Sequence, residues 1–442
     1  MSSQLIIHIR QLFNTREQFH LLKGMELSVL PSIENAYLLV KDGKITAYGP
    51  MSDLEKGTGM AKDLSISSSF PGLQTIDATG QFVLPAWCDS HTHIVFAGSR
   101  EAEFVDKLRG LSYAEINARG GGILHSARKL NEMGEEELFG QAWNRLQELS
   151  RLGTGAIEIK SGYGLCVEGE LKMLRVIKKL KQRSALSIKA TFLGAHAYPP
   201  EYREDHQGYI DLIIREMLPV IASEQLADYI DVFCEKGFFS ATETETICQA
   251  GIRYGLRPKL HVNQLNSIGG IQAGIRLNAL SLDHLETLCP EEIRLLAESA
   301  TASGFHAQGV PQEAIACTLL PTAAFFLRMP FQPARELIDA GCAVALASDY
   351  NPGSSPSGNM NLVVAMSCIG MRMLPEEAIN AATLNGAYAM GLGSETGSIT
   401  VGKKANLIFT RPIPSLAFLP YAFGTNLIDK VMIGGEFVTT HH

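Results

Sequence analysis

No stretch of the chain approaches the roughly 18 consecutive apolar residues that a membrane-crossing helix needs, and a membrane protein is not expected. The eight cysteines are scattered, and none forms a Cys-x-x-Cys pair. That argues against a thiolate zinc site or a disulfide framework and reads as reduced thiols in a cytoplasmic protein. Positive charge is not in excess either: 38 Lys and Arg stand against 46 Asp and Glu, so the basic, clustered footprint of a nucleic-acid binder is missing. The one dense basic run, Lys178-Lys179-Leu180-Lys181-Gln182-Arg183, has helical spacing and reads as a solvated helix end. The N-terminus has neither the apolar core nor the cleavage site of a secretory leader, so none is expected. His441-His442 carries no weight in this reading. What is present is a hydrophobic content of 46% over 442 residues, enough for a large folded core.

The pattern changes twice along the chain. The first 80 or so residues read as short strands: Leu5-Ile9, Ala36-Val40 and Lys44-Tyr48, with a hairpin turn at Asp42-Gly43. From there, apolar strand-like runs alternate with amphipathic helical stretches. The runs are Val83-Asp89, Ala156-Lys160, Leu186-Leu193, Tyr229-Phe233, Pro258-His261, Leu280-Leu282, Ala314-Leu319 and Val344-Ala347. Eight strands separated by helices imply parallel strands with crossover connections, the pattern of an α/β protein with a (β/α)8 barrel. After helical stretches ending near Met390, the tail returns to β character at Gly397-Val401, Ala405-Thr410 and Asp429-Ile433. The expectation is a distorted TIM barrel over 81–395 beside a small β-sandwich domain, built from 1–80 together with 396–440.

Polar groups gather at the ends of these strands. His91 and His93 follow the first strand two residues apart, so in extended backbone both face one side and can chelate one divalent ion. Alone, a His-x-His pair is a frequent accident. Here Lys259-Leu260-His261 ends the fifth strand, Leu282-Asp283-His284 the sixth and Ala347-Ser348-Asp349 the eighth. Active sites of such barrels lie at the C-terminal strand ends, and packing gives no reason for His or Asp at four of them.

Longer runs carry a specific likeness: His91-Thr92-His93-Ile94-Val95-Phe96-Ala97-Gly98-Ser99-Arg100-Glu101, Glu158-Ile159-Lys160-Ser161-Gly162-Tyr163-Gly164, Leu193-Gly194-Ala195-His196-Ala197-Tyr198-Pro199-Pro200 and Ala347-Ser348-Asp349-Tyr350-Asn351-Pro352-Gly353-Ser354. From about residue 75 to 410 the sequence resembles the amidohydrolase superfamily and, within it, the imidazolonepropionase family. The resemblance implies one divalent ion, Zn or Fe, held by His91, His93, His261 and Asp349. Three imidazoles and a carboxylate suit either metal, and such an ion lowers the pKa of water towards about 7. The implied reaction is hydrolysis of the cyclic amide C–N bond of 4-imidazolone-5-propanoate to N-formimidoyl-L-glutamate, in histidine degradation.

In that reading Asp349 takes a proton from the attacking water and passes it to the departing nitrogen, while His284 stabilises the oxyanion. Arg100 pairs with the substrate carboxylate through its planar fork. Tyr163, His196 and Gln264 hydrogen-bond the substrate, and Asn351, Gly353 and Ser354 hold the amino-acid carboxylate of the product. Tyr113 is a weaker candidate, and His306 reads as a loop histidine in the long stretch Thr301-Ala316. Many members of the family carry Glu where Gln264 stands. Glu shuttles a proton and Gln does not, which moves the acid-base work to Asp349 and His284. The family likeness also suggests a homodimer acting on a small-molecule substrate. Two other readings remain: another amidohydrolase such as a nucleobase deaminase, which needs no carboxylate clamp, and a metal-free scaffold protein, which would not retain all four ligands.

Overall fold

A computed structural model describes residues 3–62, 72–111, 121–301 and 314–439. Tyr113, His306 and His441-His442 lie outside the described residues. Eight parallel strands form the central sheet in chain order: β6 (Trp87–Asp89), β7 (Thr154–Lys160), β8 (Ser187–Ala195), β9 (Tyr229–Cys234), β10 (Arg257–Val262), β11 (Ser281–His284), β12 (Ala316–Leu319) and β13 (Ala343–Leu346). The remaining strands are β1 (Ser3–Phe13), β2 (Ser32–Lys41), β3 (Lys44–Pro50), β4 (Gln74–Asp77), β5 (Phe82–Pro85), β14 (Leu407–Thr410), β15 (Ile428–Ile433) and β16 (Glu436–Phe437).

Helices cross between successive barrel strands because their apolar faces need cover. The helix Val167–Arg183 buries Met173, Ile177 and Leu180, at spacings of four and three, and leaves its basic end toward solvent. Its outer neighbours in the core are the odd-numbered residues of β7, Ile157 and Ile159. Even-numbered Glu158 and Lys160 point the other way, into the barrel, because side chains alternate along a strand. The same alternation puts Asp231, Lys259, His261 and Asp283 inside. Barrel interiors are usually filled by branched apolar residues; this one has a charged floor.

The first and last strands meet at their tips rather than along their length. Ser348 donates from N and Oγ to the Asp89 carboxylate at 2.9 and 2.6 Å, Asp349 N donates to His91 O at 3.0 Å, and His93 N donates to Tyr350 O at 2.9 Å. This closure sets the segment after β13 against the segment after β6.

The two ends of the chain build one mixed sheet in the order β16-β15-β14-β5-β1-β2-β3, with β4 also paired to β1. The β2–β3 hairpin turns at Asp42 and Gly43, both at positive φ (51° and 76°), as a two-residue turn requires. The sheet curls on itself: Ile45 N donates to Lys403 O and Ala405 N to Gly43 O, at 2.9 and 2.8 Å. Ile6, Leu38, Ile45, Leu407 and Met432, drawn from both ends of the strand order, share one buried cluster. Two expectations need amending. The run Val83-Asp89 is two strands, β5 in the terminal sheet and β6 in the barrel, parted at Ala86, whose N–H donates to Asn406 O at 2.9 Å. Gly397-Val401 is not a strand; it turns through Gly397 at φ 87° and keeps one bridge, Ile399 to Thr15.

Candidate active site

The histidines expected at the strand tips converge. His91 Nε2 and His93 Nε2 lie 3.3 Å apart, and each is 3.5 Å from Asp349 Oδ1. Donor atoms of His91, His93 and His261 lie within 4.8 Å of one another, as do those of His91, His284 and Asp349. Burial drives the pKa values of His91, His93 and His261 well below the ordinary histidine value, helped by neighbouring imidazoles and Lys160. They are neutral imidazoles. Two of them are oriented from behind: His91 Nδ1 meets Asp283 Oδ2 at 2.7 Å, and His261 Nδ1 meets Asp231 Oδ2 at 2.9 Å. An ionised carboxylate only accepts, so each Nδ1 carries the proton and each Nε2 turns a lone pair toward the cluster.

The donor set fits a divalent metal. Imidazole nitrogens of His91, His93 and His261 and a carboxylate oxygen of Asp349 converge in one buried space, and His93 Nδ1 has no hydrogen-bond partner among the described residues, a donor set of the kind that binds a divalent cation. The floor below adds to this. Lys160 Nζ pairs with Glu158 at 2.6 Å, Asp231 at 2.9 Å and Asp283 at 3.5 Å, while Lys259 Nζ pairs with Glu158 at 2.9 Å, all fully buried. Burial disfavours the Lys160 charge, but Asp231, Glu158 and Asp283 outweigh it and raise its pKa. Two ammonium groups face three floor carboxylates and Asp349, leaving an excess of negative charge for a cation to offset.

His284 and Asp349 sit at the rim of the cluster in unusual backbone conformations, at φ 87° and 53°. Non-glycine residues hold such angles only where surrounding structure fixes them, a mark of functional sites. Burial works against a charge on His284, but Glu286 Oε1 at 3.3 Å from Nδ1 outweighs it, and the pKa rises to about 9. His284 is therefore an imidazolium with a proton to offer at neutral pH. Burial lifts Asp349 to about 6, against the pull of His284 and the hydrogen bonds of Asn351 and Ser354.

One cavity of about 510 Å³ opens over this cluster. Its lining includes His93, His261, His284 and Asp349 together with all seven candidate binding residues, Arg100, Tyr163, His196, Gln264, Asn351, Gly353 and Ser354. Tyr163 is held by a loop built around Gly162, at φ 110°, where a Cβ would come within 2.9 Å of His196 Nδ1. The Glu170 carboxylate, in the first turn of the following helix, accepts the N–H groups of Gly162, Gly164 and Leu165 at 2.7–3.0 Å. His196 Nδ1 meets Gly162 O at 3.0 Å, and its ring stacks on His93. Asn351 ties the last loop together: its Oδ1 accepts Gly353 N and Ser354 N, both at 2.8 Å, and its Nδ2 donates to Ser354 Oγ at 2.7 Å. Ser354 Oγ lies 3.2 Å from Asp349 Oδ2. Gln264 is 9% exposed, facing the cavity.

Several residues here escape a reading of the sequence. Lys107 also lines the cavity, and Glu103 binds Arg100. Glu286 and Glu170 act on His284 and the Tyr163 loop. The floor charges had a visible signal: charged residues at period two within otherwise apolar strands, as in Glu158-Ile159-Lys160.

Comparison with known proteins agrees with this architecture. Residues 241–438 match the model of the amidohydrolase family. E. coli guanine deaminase shares the fold, with a TM-score of 0.70, 14% identity and full coverage of both chains. An imidazolonepropionase from Flavobacterium johnsoniae is 57% identical over 98% of this chain and 99% of its own. One from Christiangramia forsetii is 52% identical over the same shares. The chain belongs to the imidazolonepropionase family of the amidohydrolase superfamily.

Proposed function

We propose that the chain hydrolyses the ring amide of 4-imidazolone-5-propanoate to N-formimidoyl-L-glutamate, with the ring over the histidine cluster and the propionate at Arg100. The observation that carries this is the cavity itself, which brings the histidine cluster and the Arg100 guanidinium to the lining of one space. His91, His93, His261 and Asp349 would hold a divalent ion, Zn or Fe; when bound, it supplies Lewis acidity and makes water more acidic. Asp349 accepts a proton from the attacking water. As the water oxygen joins the ring carbonyl carbon, His284 donates to the carbonyl oxygen, where negative charge collects. The C–N bond then breaks, and Asp349 returns its proton to the departing nitrogen. Glu286 keeps His284 charged for this work.

Tyr163 and His196 hydrogen-bond the substrate, as does Gln264, whose amide donates and accepts but carries no transferable proton. Asn351, Gly353 and Ser354 hold the carboxylate created by the cut. On family grounds the enzyme is a cytoplasmic homodimer.

The test is decay of the imidazolone ultraviolet absorbance with purified protein, run beside the Gln264→Glu variant. Turnover by the unaltered protein supports the reading. Absence of decay together with ammonia release from a nucleobase would replace it with a deaminase, and turnover by the Glu variant alone would put the substrate in question. Metal analysis of the purified protein separates Zn from Fe.

A further inference from the structure

We propose that Lys107 is a second anchor for the substrate carboxylate, acting with Arg100. The inference rests on the placement of that carboxylate at Arg100. Arg100 and Lys107 are the two cations lining the cavity away from the histidine cluster, and both belong to the helix Glu101–Leu108 or the residue just before it.

Arg100 is already half used. Its Nε and Nη2 donate to Glu103 Oε2 at 2.9 and 2.6 Å, and Glu103 Oε1 accepts Gly122 N at 3.0 Å. Glu103 thus fixes the plane of the guanidinium and leaves Nη1 to the cavity. Nη1 lies against Gly353, where any Cβ would overlap it. Lys107 Nζ reaches the same residue from the other side, donating to Gly353 O at a long 3.4 Å. No carboxylate among the described residues lies within ion-pair distance of Lys107, and Glu103, one helical turn away, is engaged with Arg100. Its other neighbour is the Phe326 ring, 5.9 Å from Nζ.

A partly buried ammonium with one weak neutral acceptor is poorly satisfied. Burial and Arg100 work against its charge, and Glu103 offsets them only in part. An arriving anion supplies a further opposite charge. The charge balance agrees: two cations against Glu103 leave a single positive charge, which matches one propionate. A carboxylate has two oxygens, so one can take Arg100 Nη1 while the other takes Lys107 Nζ. Lys107 is then a specificity residue, selecting an anionic tail on the ring.

The experiment uses the full-length, metal-loaded protein and three variants, Lys107→Met, Lys107→Arg and Arg100→Met. Two quantities are measured: kcat and KM for 4-imidazolone-5-propanoate, and inhibition by imidazole-4-propanoate against its uncharged amide. For Lys107→Met, KM is expected to rise about tenfold with kcat within about twofold, and preference for the carboxylate inhibitor over the amide to fall by about tenfold. Lys107→Arg restores most of both. The proposal is overturned if Lys107→Met weakens acid and amide equally, or leaves both unchanged while Arg100→Met abolishes the preference. If Arg100→Met also leaves the preference intact, the carboxylate does not bind at Arg100, and the underlying placement fails with it.

Discussion

The floor of the barrel and the mouth of the cavity handle charge in opposite ways. On the floor, Glu158, Lys160, Asp231, Lys259 and Asp283 are fully buried and compensate one another on rigid strands. At the mouth, Arg100, Glu103 and Lys107 lie on a short helix with no buried residue. The difference teaches where each kind of tolerance resides. Groups that aim the clustered histidines cannot move without leaving a charge stranded, whereas the charged groups at the mouth can shift at little cost to the fold.

Substitutions that treat the two regions alike would break this contrast. The largest effect is expected from Lys160→Met. It strands Asp231 and Asp283 against the backs of His261 and His91 and should cost about 3–5 kcal/mol, read by denaturant unfolding. A loss below about 1 kcal/mol would show that the floor is not held by this ion network. Asp283→Asn keeps the shape but weakens the hold on His91, and should lower metal affinity or turnover about 10–100-fold, measured by competition with a chelator. At the mouth, Arg100→Lys retains the charge but loses the fork. KM should rise about tenfold with the melting temperature unchanged; a large fall in melting temperature would make Arg100 structural. Smallest of all, Val105→Ser, on the 41% exposed Val105 of the same helix, should alter stability by no more than about 0.5 kcal/mol.

The same contrast explains what was legible in the sequence. The eight barrel strands could be read because buried parallel strands are written as continuous apolar runs, and the likeness to known families picked out the residues that line the cavity. The residues behind them were harder to see. Asp283 precedes His284 in sequence yet serves His91, and Asp231 serves His261, pairings that exist only once strands lie side by side. Glu103, Lys107 and Glu286 are ordinary helix or loop charges until the fold brings Arg100, Gly353 and His284 to them. The break at Ala86 was invisible because apolar residues continue across it; its cause is Asn406, far along the chain.

That distant partner has a consequence for biogenesis. β5 pairs with β14, Val83 opposite Phe409, so the first sheet of the protein stays unfinished until nearly the whole polypeptide has left the ribosome. Until then Phe82–Pro85 presents a bare apolar edge, an invitation to illicit pairing, and the barrel must mature beside it. Contacts of such long sequence separation form slowly. The last tenth of the chain therefore closes the sheet like a clasp, covering that edge once it has been made.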